Sequence, residues 1–213
     1  MAIFDLDRTL VPGSSLVALA RHLARSGLLG RGKIVGAVAR NARFAKRGAD
    51  ESTAERLLAE ALAAVAGVAT SDVRAAVVDA AADVAAQVRP AMRSIVRRHI
   101  VAGDLCVLLS AAPHELVYEV ARLSDLDVGI GTRVEVRHGL ITGRLDGPFC
   151  HGHGKLARLR DELHGIELAT ATVYTDAGSD LPLLEACGFP VAVRPDRTLR
   201  TAAIRAGWPI LQH

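Results

Sequence analysis

Asp5 and Asp7 stand two residues apart in the run Phe4-Asp5-Leu6-Asp7-Arg8-Thr9-Leu10, directly after the apolar stretch Ala2-Ile3-Phe4. In an extended chain, side chains two apart point the same way, so the spacing predicts two carboxylates facing one place. A second acidic pair, Asp176 and Asp180, follows Ala171-Thr172-Val173-Tyr174-Thr175 and sits four apart across a loop that opens a helix. Carboxylates gathered around one point repel unless a cation joins them. Hard oxygen donors favour Mg²⁺, which takes few protein carboxylates and keeps several waters. Ser110 ends a third apolar run, Leu105 to Leu109, and precedes a predicted helix start at Ala111-Ala112-Pro113, a natural anion seat. Lys155 opens a helix after the loop Cys150-His151-Gly152-His153-Gly154 and is one of only three lysines, the others being Lys33 and Lys46. Carboxylates, a hydroxyl, a helix end and an ammonium together describe a site for a phosphoryl group.

The elements that must position these groups read as follows. The three runs above, with Pro190-Val191-Ala192-Val193 and a weaker Asp127-Val128-Gly129-Ile130, are continuously apolar instead of alternating. That pattern suits strands buried on both faces of a parallel sheet. Between them lie helical stripes: Leu116, Val117, Val120 and Ala121 after Pro113; Leu156, Leu159 and Leu163; and Leu183-Leu184 between Ser179-Asp180 and Gly188. Asp196 to Gly207 repeats the same start-and-stop grammar of an acidic N-cap and a glycine stop. Strand alternating with helix predicts a doubly wound, Rossmann-like α/β fold. In such sheets ligands bind at the carboxyl ends of the strands, and Asp5, Ser110 and Asp176 each fall at such an end.

Two segments depart from this grammar. Residues 14–88 show helical patches and no convincing strand, which predicts a helical cap inserted after the first strand. The core is then 1–13 and 89–213. The stretch from Thr132 to Leu145 alternates around His138-Gly139 and predicts a small β-hairpin.

Composition narrows the function classes. The chain has 213 residues, 50% hydrophobic and 23% charged, within the range of a folded soluble protein. Aromatic residues make up 3%, too few for the stacking platforms of single-stranded nucleic-acid binders, and the net charge is only +3. No nucleic-acid partner is expected. Cys106, Cys150 and Cys187 form neither a CxxC nor an even set, which fits a reducing compartment. The strand-like run near Met1 leaves no room for a signal peptide, and no run of 18 apolar residues marks a membrane span. A cytoplasmic protein without stable membrane insertion is the expectation.

Asp5-Leu-Asp-Arg-Thr9, the strand-terminal Ser110, Lys155, and Thr175-Asp-Ala-Gly-Ser-Asp180 resemble the four motifs of the haloacid dehalogenase superfamily, in order and over essentially the whole chain. The insertion after the first motif is similar to that of the phosphoserine-phosphatase-like branch. The resemblance implies a Mg²⁺-dependent phosphatase acting on a small phosphate ester. Asp5 would be the covalent nucleophile and Asp7 the general acid and base. Asp5, the Asp7 carbonyl, Asp176 and Asp180 would hold the metal, and Ser110, Ala111, Thr9 and Lys155 the phosphoryl group. Nine residues after the nucleophile, where phosphoserine phosphatases carry a glutamate that meets the substrate ammonium, this chain has Ser14. Ser14 and Arg8 are accordingly the candidate substrate contacts. A phosphotransferase or mutase on the same scaffold, or a non-catalytic phosphate-binding module, are the alternatives. His151 and His153 lack a third ligand at metal spacing and read as loop histidines. The basic run Arg31, Lys33, Arg40, Arg43, Lys46 and Arg47 reads as a solvated helix face, and Cys106 as core.

Overall fold

The computed structural model describes residues 1–28 and 51–212, so the basic run 31–47 lies outside the described residues. Its centre is the short strand β1 (Ala2–Phe4), all three residues of which are buried. β1 pairs in parallel with β2 (Cys106–Pro113) on one side and β6 (Thr172–Thr175) on the other. β3 (Val128–Thr132) extends the sheet beyond β2, and β7 (Phe189–Val193) and β8 (Ile210–Leu211) extend it beyond β6. The order β3-β2-β1-β6-β7-β8 is the doubly wound pattern, whose winding reverses between β1 and β6. The expected α/β fold is present. β8 is a strand the apolar pattern did not mark, because two residues are too short to carry a period.

Continuous hydrophobicity in the strands is explained by two packed faces. Ala2, Phe4, Cys106 and Leu108 point to one side, where they join helices α1 (Ser15–Arg25), α3 (Thr70–Ala85), α4 (Pro90–Val101) and α5 (His114–Leu123). Ile3, Val107, Leu109 and Val173 point to the other, against α6 (His153–Glu162), α7 (Leu181–Ala186) and α8 (Arg197–Ala206). Leu19 and Leu23 of α1 and Ala76, Val77, Ala80 and Val84 of α3 belong to the first of these clusters. The inserted segment is thus rooted in the apolar core. Cys106 is core, as expected.

The hairpin forms from β4 (Val134–Arg137) and β5 (Leu140–Leu145), its turn made by His138 at φ 51° and Gly139 at φ 78°. Positive φ at both turn residues matches the twist of the strands it joins. The hairpin is tied to the connection between α2 (Glu51–Val65) and α3. Ile141 N–H donates to the Val68 carbonyl at 2.9 Å, and Gly67 N–H to the Ile141 carbonyl at 2.8 Å.

Helix α5 starts at His114, not at Ala111. β2 runs through Pro113, whose fixed φ and missing N–H suit the position just ahead of the first helical turn. Ser110 therefore lies inside β2, three residues before its end and just past Leu109, where the register with β3 shifts. It is not strand-terminal as expected, and the expected helix N-terminus is displaced by three residues because the chain stays extended through Pro113.

β3 packs so closely on α5 that a Cβ at Gly129 would lie 2.7 Å from the Tyr118 Cα and 2.8 Å from the Val117 carbonyl oxygen. Backbone atoms cannot rotate away. Gly129→Ala is expected to destabilise the fold by about 1–3 kcal/mol, the cost of an overpacked site, read as a lowered urea midpoint with unchanged slope.

Candidate active site

The site forms where the neighbouring strands β1 and β6 end together. Asp5 leaves β1 with its N–H donating to the Tyr174 carbonyl at 2.9 Å, so pairing with β6 continues up to the acidic residue itself. Past Asp5 the chain does not stay extended. Val11 N–H returns to the Leu6 carbonyl at 3.1 Å and Arg8 N–H meets the Gly13 carbonyl at 3.3 Å, folding residues 6–13 into a tight loop. Asp5 and Asp7 still face each other's neighbourhood, but through this loop and not through strand alternation.

Lys155, only 4% exposed, reaches in from the first turn of α6. Its Nζ donates to Asp5 Oδ1 at 2.7 Å and to Asp180 Oδ2 at 2.7 Å. Thr175 Oγ1 donates to the same Asp180 oxygen at 2.5 Å. Asp180 Oδ1 is buried and has no hydrogen-bond partner among the described residues. Arg8 Nε lies 2.9 Å from Asp176 Oδ2, while the fully buried Thr9 donates to Asp176 Oδ1 at 3.4 Å. Asp7 accepts from the Ser15 N–H at 2.8 Å and from the Ser14 hydroxyl at 3.4 Å. Ser14 thus touches Asp7 at the start of α1. Ser110 is buried, its Oγ accepting from the Ala112 N–H at 3.2 Å, and the Ala111 carbonyl is held by Thr132 at 2.8 Å.

Burial sets the electrostatics. It raises the Asp5 carboxyl above the usual carboxylate range, with the Lys155 charge pulling the other way. Burial lifts Asp176 to about 8, reinforced by the charge of Asp5 and opposed by Arg8. Asp7 rises to about 6, again by burial, against the Ser15 N–H that favours its charged form. Burial disfavours the Lys155 ammonium, but Asp180 and Asp5 outweigh it and hold the group charged. Two cations thus stand among acidic groups that burial pushes toward their neutral forms.

A hard cation fits this donor set. Its members are oxygens, and one of them, Asp180 Oδ1, is buried without a partner. In this structure Lys155 bridges Asp5 and Asp180, and Arg8 pairs with Asp176. Among the described residues no group of three or more His, Cys, Asp or Glu closes on one metal position. His151 stacks on Phe149, ring centroids 5.4 Å apart, in the loop before α6.

One residue that positions the site was missed by sequence reasoning. Asp196 reads as an N-cap, and its Oδ1 does accept from the Leu199 N–H at 2.8 Å. Its Oδ2 also accepts from the Gly178 N–H at 2.9 Å, and its own N–H donates to the Asp176 carbonyl at 2.8 Å. Asp196 therefore clamps the loop that carries Asp176. The cap was readable in the sequence; the cross-loop bonds are tertiary. Three arginines beside it, Arg89, Arg194 and Arg197, were likewise unmarked and share a pocket with Arg8 and Asp176.

A family model described as haloacid dehalogenase-like hydrolase matches residues 2–185. A Mycobacterium tuberculosis protein named phosphoserine phosphatase SerB1 is 33% identical over 98% of this chain and 69% of its own length. A Neisseria meningitidis protein named histidinol-phosphatase is 30% identical over 99% of this chain and 97% of its own. A crystal structure of a Bordetella pertussis protein of unknown function superposes with a TM-score of 0.82 at 32% identity, over 100% of this chain and 97% of that one. Among the described residues no helix is long and apolar enough to cross a membrane. The chain belongs to the haloacid dehalogenase-like hydrolases, on their phosphoserine-phosphatase-like branch.

Proposed function

We propose that the chain hydrolyses a small phosphomonoester through an aspartyl-phosphate on Asp5, with Mg²⁺ as cofactor. The observation that carries this reading is the Lys155 ammonium, 2.7 Å from both Asp5 and Asp180 at the sheet's switch point. It orients one oxygen of Asp5 and leaves the other to meet phosphorus. It also supplies a fixed positive charge where phosphoryl oxygens gather.

In the first step an Asp5 carboxylate oxygen attacks phosphorus in line with the ester oxygen. An acyl phosphate forms as the phosphorus–oxygen ester bond breaks, and Asp7 gives its proton to the departing alkoxide. In the second, a water attacks the phosphoryl group as Asp7 takes its proton back, releasing inorganic phosphate and restoring Asp5. A carboxyl raised to about 6 is suited to carry that proton in both directions near neutral pH. Ser14 and Ser15 hold Asp7 in place, so Ser14 acts on the acid–base group. Ser110, the Ala111 N–H and Lys155 receive the phosphoryl oxygens, and Thr9 positions Asp176 from below.

Asp5, the Asp7 carbonyl, Asp176 and Asp180 would hold Mg²⁺, which neutralises phosphoryl charge when bound. Binding there competes with the Arg8–Asp176 ion pair. Residues 14–88 serve as the helical cap over the site, rooted through α1 and α3, and the core is 1–13 and 89–213. Relatives named for phosphoserine and for histidinol phosphate support a small phosphate ester as substrate class.

Asp5→Asn keeps an acceptor for Lys155 and removes the nucleophile. Turnover of p-nitrophenyl phosphate is expected to fall by at least about a thousandfold with an unchanged circular dichroism spectrum; near-normal turnover would contradict the mechanism. Chelation of divalent cations should abolish activity, and Mg²⁺ should restore it where Na⁺ does not. Lys155→Met leaves Asp5 and Asp180 buried without their shared cation. A loss of about 3–5 kcal/mol in unfolding free energy at pH 7 is expected, seen as a shifted denaturant midpoint.

A further inference from the structure

A pocket of about 380 Å³ adjoins the acidic centre and shares Asp176 with it. Four guanidinium groups line it, each brought by a different segment. Arg8 comes from the loop after β1, Arg89 from the residue preceding α4, Arg194 from the end of β7, and Arg197 from the first residue of α8. The two carboxylates in the lining, Asp176 and Asp196, are already engaged. Asp176 meets Arg8 and Thr9, and both oxygens of Asp196 accept from backbone N–H groups. Arg89, Arg194 and Arg197 have no carboxylate partner among the described residues. Arg89 Nε is buried without a hydrogen-bond partner among the described residues, and burial together with the nearby Arg194 charge depresses the pKa of this guanidinium. Like charges have been gathered here, at a cost that an anion would relieve.

The backbone carries the same sign of construction. Four non-glycine residues among those described have positive φ, and two of them are Arg8 at 64° and Arg194 at 45°. Asp125 and His138 lie in turns, as Arg8 itself does, whereas Arg194 follows the end of β7 at a bend. A side chain with a Cβ disfavours that region, and such residues persist where the surrounding structure fixes them, frequently at binding sites.

We propose that this pocket is an anion subsite that holds a second phosphoryl group of the substrate, making the preferred substrates phosphomonoesters that bear a second dianionic group. Four guanidinium groups outnumber the two carboxylates, a surplus of positive charge that suits a dianion. Planar guanidinium forks meet phosphate oxygens in pairs. Because Asp176 borders both sites, one small molecule can span them. The assignment to substrate rests on the reading of Asp5 as the centre of reaction.

The test uses alkane-α,ω-bisphosphonates of graded length and alkylphosphonates of matching length, none of them hydrolysable, titrated calorimetrically into the full chain with Mg²⁺ present. At the best spacer the bisphosphonate is expected to bind at least about tenfold more tightly than its monophosphonate, the gain that tethering supplies. In Arg194→Gln/Arg197→Gln that advantage should collapse, and in Arg194→Lys/Arg197→Lys it should fall in part, since charge remains but the forks are lost. Both positions are exposed, so the fold is expected to tolerate these changes, and circular dichroism checks it. No advantage at any spacer, or a full advantage in the glutamine variant, would overturn the subsite. Two independent equivalents of inorganic phosphate with no gain from the tether would overturn its assignment to substrate. An arginine-dependent advantage in a protein that turns over no phosphomonoester would uphold the subsite and sink the phosphatase reading instead.

Discussion

The ammonium of Lys155 between Asp5 and Asp180 is the contact on which the rest of the site depends. It joins three elements distant in sequence: the end of β1, the first turn of α6 and the 3₁₀ turn after β6. Without it, two carboxylates would sit close together in an interior that penalises each of them. With it, the acidic groups are held near a common point. The cost of burying charge is met by geometry.

The fold supplies that geometry through its topology. Winding reverses between β1 and β6, so the loops that follow them diverge and leave a crevice, with Asp5 on one lip and Asp176 on the other. Asp196 fixes the second lip. It caps α8 and grips the 176–178 loop with the same carboxylate, so the helix and the loop position one another. Gly178 permits that approach: a Cβ there would lie 2.6 Å from Thr198 Cβ. On the opposite side, Ser14 and Ser15 at the start of α1 hold Asp7. The inserted segment therefore holds Asp7 directly, before any question of covering the site.

Much of this was legible in the sequence because its signals are local. Continuous apolar runs marked β1, β2, β6 and β7, and a residue's place just past such a run put Asp5 and Asp176 at strand ends. The hairpin turn announced itself in His138-Gly139, and α8 in Asp196 and Gly207. What stayed hidden was set by distance in the chain. The start of α5 slipped from Ala111 to His114 because β2 continues through Pro113 in register with Thr132 of β3. The dual bonding of Asp196, the contact between Ser14 and Asp7, and the gathering of Arg89, Arg194 and Arg197 arise only when separate segments meet. In a chain where nearly every basic residue is arginine, no single one of them stood out.

The central claim is that Asp5 carries the phosphoryl group between two half-reactions. The most direct test is to quench the enzyme in acid during turnover of p-nitrophenyl phosphate, reduce with borohydride and map the product by peptide mass spectrometry. An acyl phosphate on Asp5 is reduced to homoserine at position 5, and that conversion is the predicted result, dependent on both substrate and Mg²⁺. Reduction at another carboxylate, or an unmodified Asp5 under conditions where phosphate is being released, would contradict the account.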